Sequence, residues 1–362
     1  MRREGQGARQ VACRTGGYGP AEQADIALPG SVLEGARGLA ARFSSAGLRR
    51  VAILRVPTWD RLASPAGACR VWLAMECFQV TGSFKVRGAL YALQALPDDG
   101  QQAVVAASAG NHGAGVAHAA GVLGWRAVVV VPEGTPQRKL RAIERPHVAV
   151  ERVGGGYDHA ERHARAFALA RQWPFLSPYD DDFVVAGNGG SLGFEIVEAL
   201  GRVPDRVVVP VGGGGLATGL AWALAREAGE QPGARRRVWG AQSEMSPAFA
   251  LSLERACAVE TLDPEGSTLA EGLEGGISAR AFARAAAVLA GVFVVTESEI
   301  AHYMRQLWCE LGVRVEGSGA AALVPALTGR MAGEAEGDLV MVLTGRNVDD
   351  GVFRQLVDGT CP

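Results

Sequence analysis

Of the 36 basic residues in this 362-residue chain, only Lys85 and Lys139 are lysines; the rest are arginines. Arginine stays protonated, whereas a buried lysine can shed its proton, so a lysine kept in an arginine-biased chain marks a place for base or imine chemistry. Lys85 lies in Thr81-Gly82-Ser83-Phe84-Lys85-Val86-Arg87-Gly88, where a Gly-Ser turn gives way to a helix-compatible run. A helix start and apolar neighbours both disfavour an ammonium, which lowers the pKa and makes the amine a nucleophile. Lys139, in Pro136-Gln137-Arg138-Lys139-Leu140, lacks such company and reads as a surface residue that arginine could replace.

Three more segments carry usable chemistry. Ser108-Ala109-Gly110-Asn111-His112-Gly113 follows a strand-like run, and small residues at a strand-to-helix junction leave N–H groups facing an anion. Asn111 adds a donor and an acceptor there. Gly212-Gly213-Gly214-Gly215-Leu216 sits between a strand run and a helical run, where backbone amides can wrap a phosphate. It has no G-K-[ST] and only a loose G-x-G-x-x-G, so a phosphate monoester fits better than a dinucleotide. Leu343-Thr344-Gly345-Arg346-Asn347-Val348 ends the last strong strand run. Thr344 there can face a heteroaromatic nitrogen, although a plain turn is an equally good reading of that segment alone. An amine, an Asn loop, a phosphate cup and a hydroxyl together match the aldehyde, ring hydroxyl, phosphate and pyridine nitrogen of pyridoxal 5′-phosphate.

The elements that must position these groups alternate along the chain. Strand-like runs fall at 71–75, 103–108, 127–132, 207–211, 238–242, 292–295 and 339–345, with helical patterns between them at 115–124, 157–172, 217–229 and 298–312. The strand runs are continuously apolar, which predicts a mostly parallel α/β protein with both sheet faces covered. Residues 1–30 lack periodicity and read as a flexible extension, with the first helix capped by Ser31. The composition is 48% hydrophobic with net charge −2, which excludes a disordered chain and the basic footprint of a nucleic-acid binder. No apolar stretch reaches the roughly 18 residues of a membrane span, and the N-terminus lacks the apolar region of a secretory signal, so a cytoplasmic protein is expected. Cys13, Cys69, Cys77, Cys257, Cys309 and Cys361 form no C-x-x-C pair, which indicates neither a zinc site nor a disulfide framework. His118, His159, His163 and His302 lie on helical patterns and read as packing or surface residues, and Glu195 with Glu198 as a solvated face.

From Arg55 to Asp349 the chain resembles the fold-type II (tryptophan synthase β-like) pyridoxal-phosphate enzymes, and within them the threonine/serine dehydratases. The segments GSFKVRGA, SAGNHGAGVA, VAGNGGSLGFEI, PVGGGGLATG, VEGSGAAAL and LTGRNVD occur in that family's order. The resemblance implies two lobes: 98–185 as a small lobe inserted between 31–97 and 186–362. It implies that Lys85 carries the cofactor as an imine and acts as the base, with Phe84 packing on the ring and Asn111 bonding the ring hydroxyl. Gly212, Gly213, Gly214, Gly215 and Leu216 would hold the phosphate, and Thr344 would face the pyridine nitrogen. Ser108, Ala109, Gly110, Asn111 and His112 would receive the substrate carboxylate, and Glu316 would lie near the cofactor edge.

The implied reaction is loss of the β-hydroxyl of L-threonine, L-serine or a related amino acid, giving a 2-oxo acid and ammonia. Ala109 stands where serine racemases place a second serine, which disfavours racemisation. Arg346 adds a charge near the site and, with Thr58-Trp59-Asp60-Arg61, allows a non-standard substrate. Gln242 and Ala248 replace acids that bind a divalent metal in some relatives, so no metal is expected. The chain ends soon after LTGRNVD, so a regulatory domain and feedback by isoleucine are not expected. A homodimer is expected. The alternatives are a β-replacement or threonine-synthase-like enzyme and, from another class, a catalytically silent cofactor-binding regulatory protein.

Overall fold

The computed structural model describes residues 10–12, 26–97, 102–262, 266–331 and 336–358. Among the described residues, ten strands form two sheets. The large sheet runs β1-β9-β8-β7-β10-β3-β2, built from β1 (Gln10–Ala12), β2 (Ile53–Arg55), β3 (Cys69–Ala74), β7 (Arg206–Pro210), β8 (Val238–Ser243), β9 (Leu289–Val295) and β10 (Gly337–Val342). Its five inner strands are parallel, and β1 and β2 close its edges antiparallel. The small sheet holds β4 (Ala103–Ala107), β5 (Arg126–Pro132) and β6 (Val148–Val153), all parallel.

Strand pleating sends alternate side chains to opposite faces. Val207, Val209, Val340 and Val342 enter one core, and Val208, Leu339 and Met341 enter the other. The small sheet divides the same way: Val105 and Val130 meet Ala160, Ala164 and Ala168, while Val129 and Val131 meet Leu140 and Ile143. Both sheets are thus covered on both faces, as the continuous apolar runs require.

Two expectations about the chain's start change. Gln10–Ala12 pairs with β9, Leu28 is buried beside Leu33, and the Ala27 carbonyl accepts from Arg284 Nη2 at 3.1 Å. The expected 1–30 extension therefore contains an edge strand and a core residue; 1–9 and 13–25 lie outside the described residues. The first helix of that region is Gly30–Gly35, and Pro29, not Ser31, precedes it. Cys309 is held in a disulfide, which cysteine spacing did not indicate.

The helix Lys85–Ala95 is the element on which the two sheets converge. It is buried from Val86 to Leu93 and packs against the small-sheet helix Asn111–Leu123 on one side. The crossing requires Gly115, where a Cβ would come within 3.1 Å of the Lys85 carbonyl. On the other side lies the π-type turn Ala186–Gly190, whose Asn188 Oδ1 accepts the Gly88 amide at 2.9 Å. That bond satisfies one of the amides a helix start leaves without an intrahelical partner.

Candidate active site

Between the sheets lies a cleft of about 1080 Å³, lined by Phe84, Lys85, Ser108 through His112, Gly212 through Leu216, Glu316 and Thr344. Every residue marked from the sequence as a site residue thus lines one cavity. Its floor joins two motifs that are about 260 residues apart in the chain. Ser83 and Gly345 form an antiparallel bridge, Phe84 N donates to the Thr344 carbonyl at 3.1 Å, and Arg346 N donates to the Gly82 carbonyl at 2.9 Å. This pairing puts Lys85 and Thr344 side by side at the C-terminal end of β10, where open parallel sheets bind ligands.

Lys85 is the first residue of its helix, and its Nζ donates to the Pro178 carbonyl at 3.0 Å, 5.1 Å from the Phe84 ring centroid. Burial pulls its pKa down to about 8, against the opposing pull of the Glu316 charge. Glu316 is itself buried, which pushes its carboxyl up to about 7 despite bonds from Asn111 Nδ2 (2.8 Å) and Asn347 N (3.1 Å). Asn347 Nδ2 donates to Asn111 Oδ1 at 2.7 Å and to the Thr81 carbonyl at 2.9 Å. Asn111 is therefore held through its nitrogen by Glu316 and through its oxygen by Asn347. His112 Nε2 lies 3.0 Å from the Leu176 carbonyl, and burial followed by the neighbouring Lys85 charge lowers its pKa to about 3. It is neutral at physiological pH.

Two helix starts face the cavity, Asn111–Leu123 and Gly215–Glu227, and the partial positive charge of each favours an anion. Before the second, Gly214 takes φ +81°, and a Cβ on Gly213 would meet the Tyr179 ring at 2.4 Å. Only glycine fits both positions. Among the described residues, no carbonyl accepts from the amides of Gly212 through Leu216, and the Thr344 hydroxyl has no partner. A lowered-pKa lysine, a cup of unpaired amides and an unpartnered hydroxyl around one cavity fit pyridoxal phosphate.

Other expectations are revised. Arg346 is exposed and does not itself line the cleft, although Thr344 and Asn347 around it do. Glu195 is not solvated: it is 5% exposed and bonds Arg87 Nη1 and Nη2 at 3.0 and 2.8 Å. Glu198 is exposed and pairs with Arg50. Lys139 is not a bare surface residue either, since it lines the cleft and pairs with Glu271 at 2.9 Å. Its scarcity signal, applied equally to both lysines, would have found it. Gln242 Oε1 accepts the Ala250 amide at 3.0 Å, and among the described residues no three His, Cys, Asp or Glu side chains are grouped to hold a metal. No helix among them is long and apolar enough to cross a membrane. Asn347, Tyr179 and Glu271 were not marked from the sequence; Asn347 alone carried a signal, an amide three residues after Thr344.

The family model "Pyridoxal-phosphate dependent enzyme" matches residues 52–345. The chain is 34% identical over 284 residues to the catabolic L-threonine dehydratase of Staphylococcus aureus, covering 77% of this chain and 79% of that one. Its fold matches the processed form of threonine deaminase isoform 2 from Solanum lycopersicum, with TM-score 0.79, 25% identity and 96% and 95% of the two chains covered. It also matches maize serine racemase, with TM-score 0.78, 25% identity and 90% and 95% covered. The chain belongs to the pyridoxal-phosphate dependent enzyme family, in its fold-type II branch, and is a lyase-type enzyme similar to the threonine dehydratases.

Proposed function

We propose that the protein is an ammonia-lyase that removes the β-hydroxyl of L-threonine, L-serine or a related β-substituted amino acid, leaving a 2-oxo acid and ammonia. The observation that carries this reading is a buried lysine of lowered pKa that shares its cleft with the Ser108–His112 loop. Lys85, with its pKa near 8, stands at the cleft floor, while Ala109 occupies the substrate-loop position where a second acid/base group would sit. A base on one face suits elimination; racemisation needs a donor on the other.

Bound pyridoxal phosphate supplies the electron sink that stabilises negative charge at the substrate Cα. The amides of Gly212 through Leu216 would hold its phosphate, Phe84 would pack against its ring, and Thr344 would face its ring nitrogen. Thr344 would offer that nitrogen a neutral hydroxyl in place of a carboxylate. Ser108 through His112 receive the substrate carboxylate at the start of the Asn111 helix. Asn111, fixed by Glu316 and Asn347, would orient the ring hydroxyl. Lys85 removes the Cα proton, and closure of the small lobe (98–185) over the large one (31–97 and 186–362) excludes water. The reading includes a homodimer and a cytoplasmic location, to be checked by sedimentation and by fractionation.

The test is a panel of β-substituted amino acids assayed for ammonia and 2-oxo acid. Oxo-acid release from L-threonine or L-serine without a second nucleophile is expected. Release that requires a second nucleophile would turn the assignment to β-replacement, and inversion without release would turn it to racemisation.

A further inference from the structure

Two consecutive small-lobe residues reach across the cleft mouth to two different large-lobe elements. Arg138 Nε lies 2.5 Å from Asp349 Oδ2, and Lys139 Nζ lies 2.9 Å from Glu271 Oε2. All four residues line the cavity that holds Lys85. Both acids are fixed on their own side. Asp349 Oδ1 caps the helix Asp350–Val357 by accepting the Gly351 and Val352 amides at 2.7 and 3.1 Å. Glu271 begins the tight turn Glu271–Leu273, in which the Gly272 amide donates to Ser318 Oγ at 3.0 Å. That turn backs the glycine cup, since a Cβ on Gly212 would stand 3.4 Å from Leu273 Cα. Asp349 lies two residues beyond Asn347, the residue that holds Asn111.

We propose that Arg138 and Lys139 are positioning residues: their paired ion bridges latch the small lobe shut over the cleft, and so set the distance between the Asn111 loop and Lys85. They touch neither substrate nor cofactor in this scheme. The side chains are 39% and 30% exposed in the Arg138–Asp349 pair, and 24% and 51% in the Lys139–Glu271 pair. Pairs this exposed shift an equilibrium by up to about fivefold each, so the latch opens readily enough for turnover. Salt weakens it as well, because the screening length falls from about 10 Å at 0.1 M to about 3 Å at 1 M. The proposal rests on the lyase reading for its kinetic arm only.

The test uses the holoenzyme and the variants Lys139→Glu, Glu271→Lys, their double, and Lys139→Arg, with folding checked by circular dichroism. One readout is hydrogen exchange of the segment Gln137–Ile143 at low and high salt. The other is KM against kcat for L-threonine and L-serine. Each charge-reversed single variant should exchange faster, show a smaller salt response, since the Arg138–Asp349 bridge remains, and raise KM by about threefold with a smaller change in kcat. The swapped double should return both readouts to within about twofold of the parent, and Lys139→Arg should match the parent. Additive damage in the double, or exchange unmoved by either single variant, would overturn the latch. If no amino acid is turned over, the lyase reading fails while the exchange arm still decides the latch.

Discussion

Replacing Arg87 by methionine should cost the protein a large part of its stability. Arg87 is fully buried two residues beyond Lys85, and its guanidinium serves two carboxylates. Nε and Nη2 bond Glu76 at 2.7 and 2.8 Å, and Nη1 and Nη2 bond Glu195 at 3.0 and 2.8 Å. Nη1 also reaches Ser191 Oγ at 3.2 Å, and Nη2 reaches the Arg49 carbonyl at 3.1 Å. Methionine fills similar space but leaves two buried carboxylates facing each other with no cation. Breaking a buried ion pair from one side costs about 3–5 kcal/mol, and two carboxylates put Arg87→Met at the upper end. Lysine keeps the charge but cannot fork to both partners, so Arg87→Lys should lose less. The assay is urea unfolding of the cofactor-free protein followed by tryptophan fluorescence, comparing midpoints at constant slope. Adding Glu76→Gln and Glu195→Gln to Arg87→Met should restore much of the loss, because the penalty lies in the stranded charges. A loss below about 1 kcal/mol in Arg87→Met, or no recovery in the triple variant, would refute the reasoning.

Three further outcomes follow from the site. Capture of pyridoxal phosphate by cofactor-free protein needs the neutral amine, so its rate should rise with pH to a midpoint near 8, well below the ordinary lysine value of 10.5; stopped-flow absorbance measures it. Glu316→Gln removes the charge that raises the Lys85 pKa, so the same midpoint should move below 8. Gly213→Ala drives a Cβ to 2.4 Å from the Tyr179 ring, and should weaken cofactor binding about tenfold or more in a fluorescence titration.

What could be read from the sequence divides along physical lines. The inner strands were legible because a strand covered on both faces writes itself as an unbroken apolar run: β7 is buried at Val207, Val208, Val209 and Pro210. The edge strand β2 and the small-sheet strand β6 were missed because Ile53–Arg55 is short and Val148–Val153 is only partly buried. Lys85 and the glycine run were legible because their chemistry is local, a few residues at a strand or helix junction. Glu195 was misread because helical spacing does not say which face meets Arg87, 108 residues away in the chain. Lys139 was read as a surface residue for the same reason, since its partner Glu271 is far away in the chain. Arg346 erred the other way: it is exposed and does not line the cleft, although Thr344 and Asn347 on either side of it do.

The proposed chemistry requires Lys85 to be the cofactor lysine of this cleft. Borohydride reduction of the yellow holoprotein, followed by peptide mapping, tests it most directly. The visible band should disappear and a single pyridoxyl label should remain on Lys85, with Lys85→Arg colourless and inactive and Lys139→Arg unaffected. A label on Lys139, or a colourless wild-type protein that takes up no pyridoxal phosphate, would contradict it.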